Sequence, residues 1–270
     1  MLARTVVLCY YRHMAIDLNC DMGESFGVYR IGNDPEAVRH VTSANIACGF
    51  HASDPHWMEA TVKLCADHGV MAGAHPGYPD LLGFGRRSMD VDSRDLANYV
   101  LYQTGALKAF LDLYGLPLQH IKLHGALYNT MVRREEAFLD LAASVERAFR
   151  GVIFVTLGTA GGRALKRAAA ERGLRVALEA FPDRAYTDEG ELLGREHKGA
   201  VLKDPEAIAG RALTMAAKKG IESASGRWID MEVDTLCLHG DNAESIAAAA
   251  KVRALMEKGG IAVEPLSRLL

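Results

Sequence analysis

TSANIACGFHASDPHWMEATVKLCADHGVMAGAH, residues 42–75, reads as one strand, loop, helix, strand unit. TSANIAC from Thr42 and VMAGAH from Val70 are apolar runs of strand length, and DPHWMEATVKLCADHG between them has helical spacing. Asp54 can cap that helix, Pro55 suits its first position, and Gly69 suits its stop. The same grammar recurs along the chain. AIDLNC from Ala15, HIKLHG from His120, VIFVTLG from Val152, LRVALEA from Leu174 and TLCLHGD from Thr235 bring the strand-like runs to seven. Helical stretches follow them in SRDLANYVLYQTGALKAFLDLYG from Ser93 to Gly115, GGRALKRAAAERG, DPEAIAGRALTMAAKKG and DNAESIAAAAKVRALMEKGG. A last short run, IAVEPL from Ile261, closes the ring or lies across its bottom. Repeated β–α alternation with no hairpin signal predicts a parallel sheet in an α/β protein.

A closed barrel and an open doubly wound sheet both satisfy that alternation. Two features favour the barrel. Polar residues capable of chemistry follow nearly every strand, where an open sheet would gather them at one switch point. No linker or shift of composition divides the chain, so the expected architecture is one TIM-like (β/α) barrel of seven parallel strands over residues 15–270. Residues 1–14 read as an N-terminal extension, disordered or preceding a start at Met14. The long loops GESFGVYRIGNDPEA, PGYPDLLGFGRRSMD and FPDRAYTDEGELLGREHKGA are of a length that usually carries function.

Of 270 residues, 49% are hydrophobic and 24% charged, enough to bury a core without disulfides or metal staples. Lys plus Arg total 31 against 34 Asp plus Glu, with no basic stripe, so nucleic acid is not an expected partner. No run approaches a membrane span, and no export signal is read at the N-terminus. The five cysteines, Cys9, Cys20, Cys48, Cys65 and Cys237, form no CxxC pair and point to a reducing, cytoplasmic setting with the thiols as inert packing.

Strand ends collect Asp17, Asn19 and Asp21, then Asn45 and His51, then His75, then Lys122 and His124, then Glu179 and Arg184, and finally His239, Asp241 and Asn242. In a barrel these converge on one mouth. The set suits amide hydrolysis, in which a base draws a proton from water, a cation stabilises the oxyanion and an acid protonates the departing nitrogen. Lys122 and His124, two apart, are expected on one strand and facing inward, with low dielectric lowering the Lys122 pKa toward proton transfer. Asp17, His51 and His75 could alternatively hold a divalent ion, although no HExxH spacing supports this and a metal-free acid–base site is the primary reading. GFGRR, Gly83 to Arg87, offers cations to an anionic substrate, and GTAGG after the fifth strand is a weak phosphate cradle without the Lys-Ser/Thr of a P-loop.

IDLNCDMGESFG, SANIACGFHASDP, GAHPGYPDLLGFGRR, KLHGALYN, EAFPDRAYTDEGELLGR, KGAV and LHGDN, in this order from Ile16 to the last helix, resemble the signatures of the LamB/YcsF family. The resemblance implies a seven-stranded (β/α) barrel related to polysaccharide deacetylases. It also implies ATP-dependent opening of the lactam of 5-oxo-L-proline to L-glutamate, carried out with separate B and C subunits of a 5-oxoprolinase. ATP would then be used by the complex and not bound through a motif of this chain, and the formation of a homo-oligomer is left open. Ser53, Leu123 and Pro182 depart from the family pattern, at positions assigned no chemistry.

The expected catalytic set is Asp17, His51, His75, Lys122, His124, Glu179 and Asp241, with Asn19, Asn45, Arg86, Arg184, His239 and Asn242 binding substrate or supporting the set. Asp17 or Asp241 is expected as the water-activating base, His124 with Lys122 as oxyanion and leaving-group partners, and Arg86 or Arg184 as a carboxylate clamp. Two other readings are a stand-alone metal-dependent deacetylase or amidase and a non-catalytic ligand-binding subunit.

Overall fold

The computed structural model describes residues 14–240 and 243–270. The N-terminal extension before Met14, Cys9, Asp241 and Asn242 lie outside the described residues.

Strand β1 (Ala15–Met22) is parallel to β2 (Ser43–Ala47), which continues through β3 (Met71–His75), β4 (Leu118–Lys122), β5 (Ile153–Leu157) and β6 (Arg175–Ala180). The seventh barrel strand, β7 (Thr235–Leu238), pairs with both β6 and β1 and closes the ring. All seven expected runs are strands of one closed parallel barrel. The run near the C-terminus does not join the ring; Ala262–Val263 pairs with the first residues of β1 from outside.

Helices α1 (Pro55–His68), α2 (Ser93–Leu113), α3 (Gly125–Val132), α4 (Glu135–Glu146), α5 (Ala160–Glu171), α6 (Pro205–Lys218) and α7 (Ala243–Lys258) surround the strands. In α1 the sequence grammar is literal: Asp54 accepts hydrogen bonds from the amides of His56 and Trp57, and Gly69 takes φ 66° at the stop. Asp204 caps α6 in the same way, but at two other ends the signals slip by one residue. Asp92, not Ser93, caps α2 through the Arg94 amide, and Lys219, not Gly220, adopts the left-handed conformation after α6. A two-stranded antiparallel ribbon, Gly220–Glu222 with Trp228–Asp230, sits between α6 and β7. It escapes sequence reasoning, because three-residue strands are too short for alternation to register.

The barrel interior has two zones. Ile153, Val155 and Ala177 form a small apolar cluster plugged by Leu266. Away from that plug the lumen is polar, with Asp17, Asn19, Asn45, His120, Lys122 and Glu179 all buried. Such groups are tolerated only when paired. Asp17 accepts from the hydroxyls of Thr42 (2.8 Å), Ser43 (2.6 Å) and Thr235 (2.5 Å). The Asn19 amide donates to Glu179 Oε1 (2.9 Å) and Thr235 Oγ1 (2.7 Å), while its oxygen accepts from Asn45 (2.7 Å). His120 donates through Nε2 to Asn45 Oδ1 at 2.6 Å.

Candidate active site

The carboxyl ends of the strands open into a cleft of about 610 Å³. Among the expected residues His75, Lys122, His124, Arg86, Arg184 and His239 line it. Asn19, Asn45 and Glu179 lie in the layer beneath, engaged with one another and with Lys122. Asp17 is buried one inward-facing position below Asn19, hydrogen-bonded to three hydroxyls, and does not line the cleft. His51 is buried behind the wall of the cleft, stacked on His124 with ring centroids 3.6 Å apart.

Lys122 is the hub. Its Nζ lies 2.9 Å from Asp21 Oδ1 and 2.9 Å from Glu179 Oε1, with Asn19 Oδ1 at 3.4 Å and Cys237 Sγ at 3.1 Å. Burial alone would favour the neutral amine, but Asp21 and Glu179 outweigh it and hold the pKa well above the ordinary lysine value. This corrects the expectation of a depressed Lys122: the residue is a fixed ammonium, because two carboxylates share it. Asp21 is pushed up by burial and drawn down by the His75 ring and Lys122, and ends well below the usual carboxylate range. Its Oδ1 also accepts from the Asn45 amide at 2.8 Å.

His124 departs from its expected place. β4 ends at Lys122, and His124 is the residue preceding α3, with its amide bonded to the Pro76 carbonyl at 2.9 Å. Its ring nevertheless meets those of His51 and His75. His75 Nδ1 lies 2.7 Å from the Lys122 carbonyl and His124 Nε2 lies 2.8 Å from the Phe84 carbonyl. Carbonyls only accept, so both nitrogens carry protons. The remaining nitrogens, His75 Nε2 and His124 Nδ1, face each other at 3.0 Å. Burial holds His51 and His124 well below the ordinary histidine pKa, assisted for both by the neighbouring histidines.

Glu24 completes this group. Its Oε1 is 3.7 Å from His51 Nε2, and one ligand atom each from Glu24, His51, His75 and His124 fall within 4.8 Å of one another. Neither nitrogen of His51 has a hydrogen-bond partner among the described residues. Gly85, with φ 62°, lets the β3–α2 loop close over the cluster: a Cβ there would stand 2.7 Å from His124 and 2.8 Å from His51.

The rim is cationic. His239 pairs with Asp183 at 2.6 Å; burial lowers its pKa, but the carboxylate outweighs burial and the net shift is upward. Arg184 spends Nε on the Ala200 carbonyl (3.3 Å) and Nη2 on the Leu193 carbonyl (2.6 Å), so it braces the β6–α6 loop. Arg86 reaches over the Phe84 ring, and Arg195, absent from the sequence-based set, lines the cleft with Nη2 3.4 Å from His239 Nε2. Cys20, Cys48, Cys65 and Cys237 are free, buried thiols, with burial pushing Cys48 and Cys65 up to about 12. The glycines of GTAGG serve packing: Gly158 and Gly162 lie against the carbonyls of Glu232 and Leu157.

Asp21, Glu24, His120 and Tyr128 are groups that sequence reasoning leaves out of the catalytic and binding set. For Asp21 a signal exists, since Asp17, Asn19 and Asp21 alternate on one face of β1 and the last is nearest the mouth. Glu24, in a loop, has no periodicity to reveal it. Ser53, one of the departures from the family pattern, adopts φ 77°, a conformation that favours glycine.

The model of the LamB/YcsF family matches residues 16–270. The chain is 47% identical over 257 residues to the A subunit of 5-oxoprolinase from Thermococcus sibiricus, covering 95% of this chain and 100% of the relative. It is 48% identical over 253 residues to the corresponding 5-oxoprolinase protein of Pyrococcus furiosus, covering 94% and 98%. Its fold matches the crystal structure of the lactam utilization protein from Thermus thermophilus with a TM-score of 0.85 at 43% identity, covering 93% of this chain and 99% of that one. A putative cellobiose-phosphate cleavage protein of Enterococcus faecalis shares the fold, at 14% identity, with a TM-score of 0.58 and coverage of 95% and 98%.

Proposed function

This chain belongs to the LamB/YcsF family, and we propose that it is the lactam-opening component of an ATP-dependent 5-oxoprolinase, converting 5-oxo-L-proline to L-glutamate with cognate B and C subunits in the cytoplasm. The observation that carries the reading is the ammonium of Lys122 held between Asp21 and Glu179 at the floor of a polar cleft. Amide opening develops negative charge on oxygen, and a preorganised cation in a water-poor site stabilises it without reorganising. Asp21 reaches the cleft and is ionised, so it orients the attacking water and accepts its hydrogen bond. The Arg86 and Arg195 side chains at the rim are suited to the substrate carboxylate, a role that Arg184 can share only with the donors its loop leaves over.

A five-membered lactam resists hydrolysis, and no P-loop is present in this sequence. Activation of the lactam oxygen by phosphorylation is therefore assigned to the partner subunits; at this site water adds to the activated carbon, the C–N bond breaks as the nitrogen takes a proton, and the resulting acyl phosphate loses phosphate to a second water to leave glutamate. Glutamate formation from 5-oxoproline and ATP is expected to appear only when the B and C subunits are added. Robust turnover by the isolated chain would refute this division of labour.

One observation favours a divalent ion at Glu24, His51, His75 and His124. His75 Nε2 and His124 Nδ1, facing each other at 3.0 Å, need a proton or a cation between them. The buried, unpartnered His51 ring and the carbonyl bonds fixing the other two tautomers also fit a ligand set. Such an ion would supply Lewis acidity beside the cleft. Elemental analysis of the purified protein is expected to find about one equivalent of a divalent metal, lost when His51 and His124 are both replaced by Ala. Metal-free protein with unaltered turnover would remove this part of the reading.

A further inference from the structure

Tyr128 stands on α3, its amide bonded to the His124 carbonyl at 3.3 Å. The residue is only 6% exposed, yet it lines the cleft. Its ring stands edge-on to Phe181, with centroids 6.3 Å apart at 89°, and the face of Phe181 carries the Lys122 ammonium 5.2 Å from its centroid. Lys122 and Tyr128 thus flank one aromatic plate on the wall of the cleft. Among the described residues neither the buried Tyr128 hydroxyl nor Glu179 Oε2 has a well-formed hydrogen bond, although the phenol lies near enough to that carboxylate to interact with it. Burial pushes the phenol well above its ordinary pKa, and the nearby Glu179 carboxylate adds to the shift.

A buried hydroxyl without a well-formed hydrogen bond costs about 1–3 kcal/mol. Phenylalanine would pack against Phe181 equally well and avoid that cost, so the ring alone does not explain the tyrosine. The hydroxyl is instead positioned for a ligand that enters the cleft beside Lys122. We infer that Tyr128 is a catalytic residue for the lactam-opening reaction, donating a hydrogen bond to the oxygen borne by the carbon under attack. This rests on the 5-oxoprolinase reading above. Lys122 supplies charge to that oxygen and Tyr128 supplies direction. A phenol donates at any pH below its pKa, ordinarily about 10, so its contribution needs no proton transfer.

The test is Tyr128→Phe in the complete three-subunit complex with 5-oxoproline and ATP. Expected are a fall in kcat of about 100-fold, the size seen on removing one oxyanion donor, a KM within about threefold, and a melting temperature equal to or above that of wild type. A kcat within about threefold of wild type, or a change confined to KM, overturns the assignment. Wild-type complex in the same assay separates the two levels: if it forms no glutamate from 5-oxoproline, the lactam reading falls and the assignment with it. Wild-type turnover matched by the variant sinks the Tyr128 assignment alone.

Discussion

Turnover of 5-oxoproline is expected to fall by about 10⁴-fold on Asp21→Asn and to stay within about threefold of wild type on Asp17→Asn. The two aspartates share a strand face, yet only Asp21 lines the cleft and touches both Lys122 and His75. An amide at position 21 removes the negative charge that holds the ammonium and orients water. Position 17 differs in kind. Its carboxyl is pushed up to about 6 by burial, against an ordinary value of 3.8, with the Ser43, Thr235 and Thr42 hydroxyls only partly offsetting the shift. A carboxyl raised on folding contributes stability below its unfolded pKa and loses it as pH rises through the folded one. The loss, roughly the 1.36 kcal/mol per unit of linkage over about two units, comes to about 3 kcal/mol. Asn cannot ionise, and the three hydroxyls can rotate to suit its amide. The stability of Asp17→Asn relative to wild type, measured by urea unfolding, is therefore expected to improve between about pH 4 and pH 7. Equal loss of turnover in both variants, or a stability difference flat with pH, would overturn this distinction.

Lys122→Met is expected to reduce turnover by at least about 10³-fold with the barrel retained. Methionine preserves much of the length and apolar stem but leaves Asp21 and Glu179 facing each other with no cation between them. Breaking a buried pair from one side typically costs about 3–5 kcal/mol, since the stranded charge must be neutralised or hydrated. Glu179 is already raised by burial against the pull of Lys122, and without that cation it is the group to take a proton. The melting temperature of the variant should fall near neutral pH and recover part of the deficit in acid, where carboxylates are protonated in both states. Lys122→Arg should not restore activity, because a planar guanidinium cannot occupy the point between two carboxylate oxygens that an ammonium fills. Wild-type turnover in either variant would show that the fixed charge is dispensable.

The histidines illustrate how far spacing carries. Sequence spacing places His75 and His124 at the mouth and both are there, but His124 arrives from beyond the end of β4 as the residue preceding α3. A spacing of two predicts a shared strand; tertiary contacts with Pro76 and Phe84 hold the ring where a strand residue would not have placed it. The pairing of His239 with Asp183 cannot be read from the sequence because it joins segments distant in the chain, and the spending of Arg184 on carbonyls of its own loop depends on how that loop, which has no period, folds back on itself.

By itself the sequence determined the number of barrel strands, their parallel order and the motifs that identify the family. Caps, stops and period-two runs are local, and local sterics and hydrogen bonding act on them directly. Which of three inward-facing side chains of β1 reaches the cleft, whether Lys122 is charged, and which nitrogens of His75 and His124 carry protons were decided only in the folded barrel. Those properties depend on stagger between strands and on partners far away in sequence, such as Glu179 beside Lys122 and Phe84 beside His124. Burial sets their magnitude, and burial is a property of the closed ring.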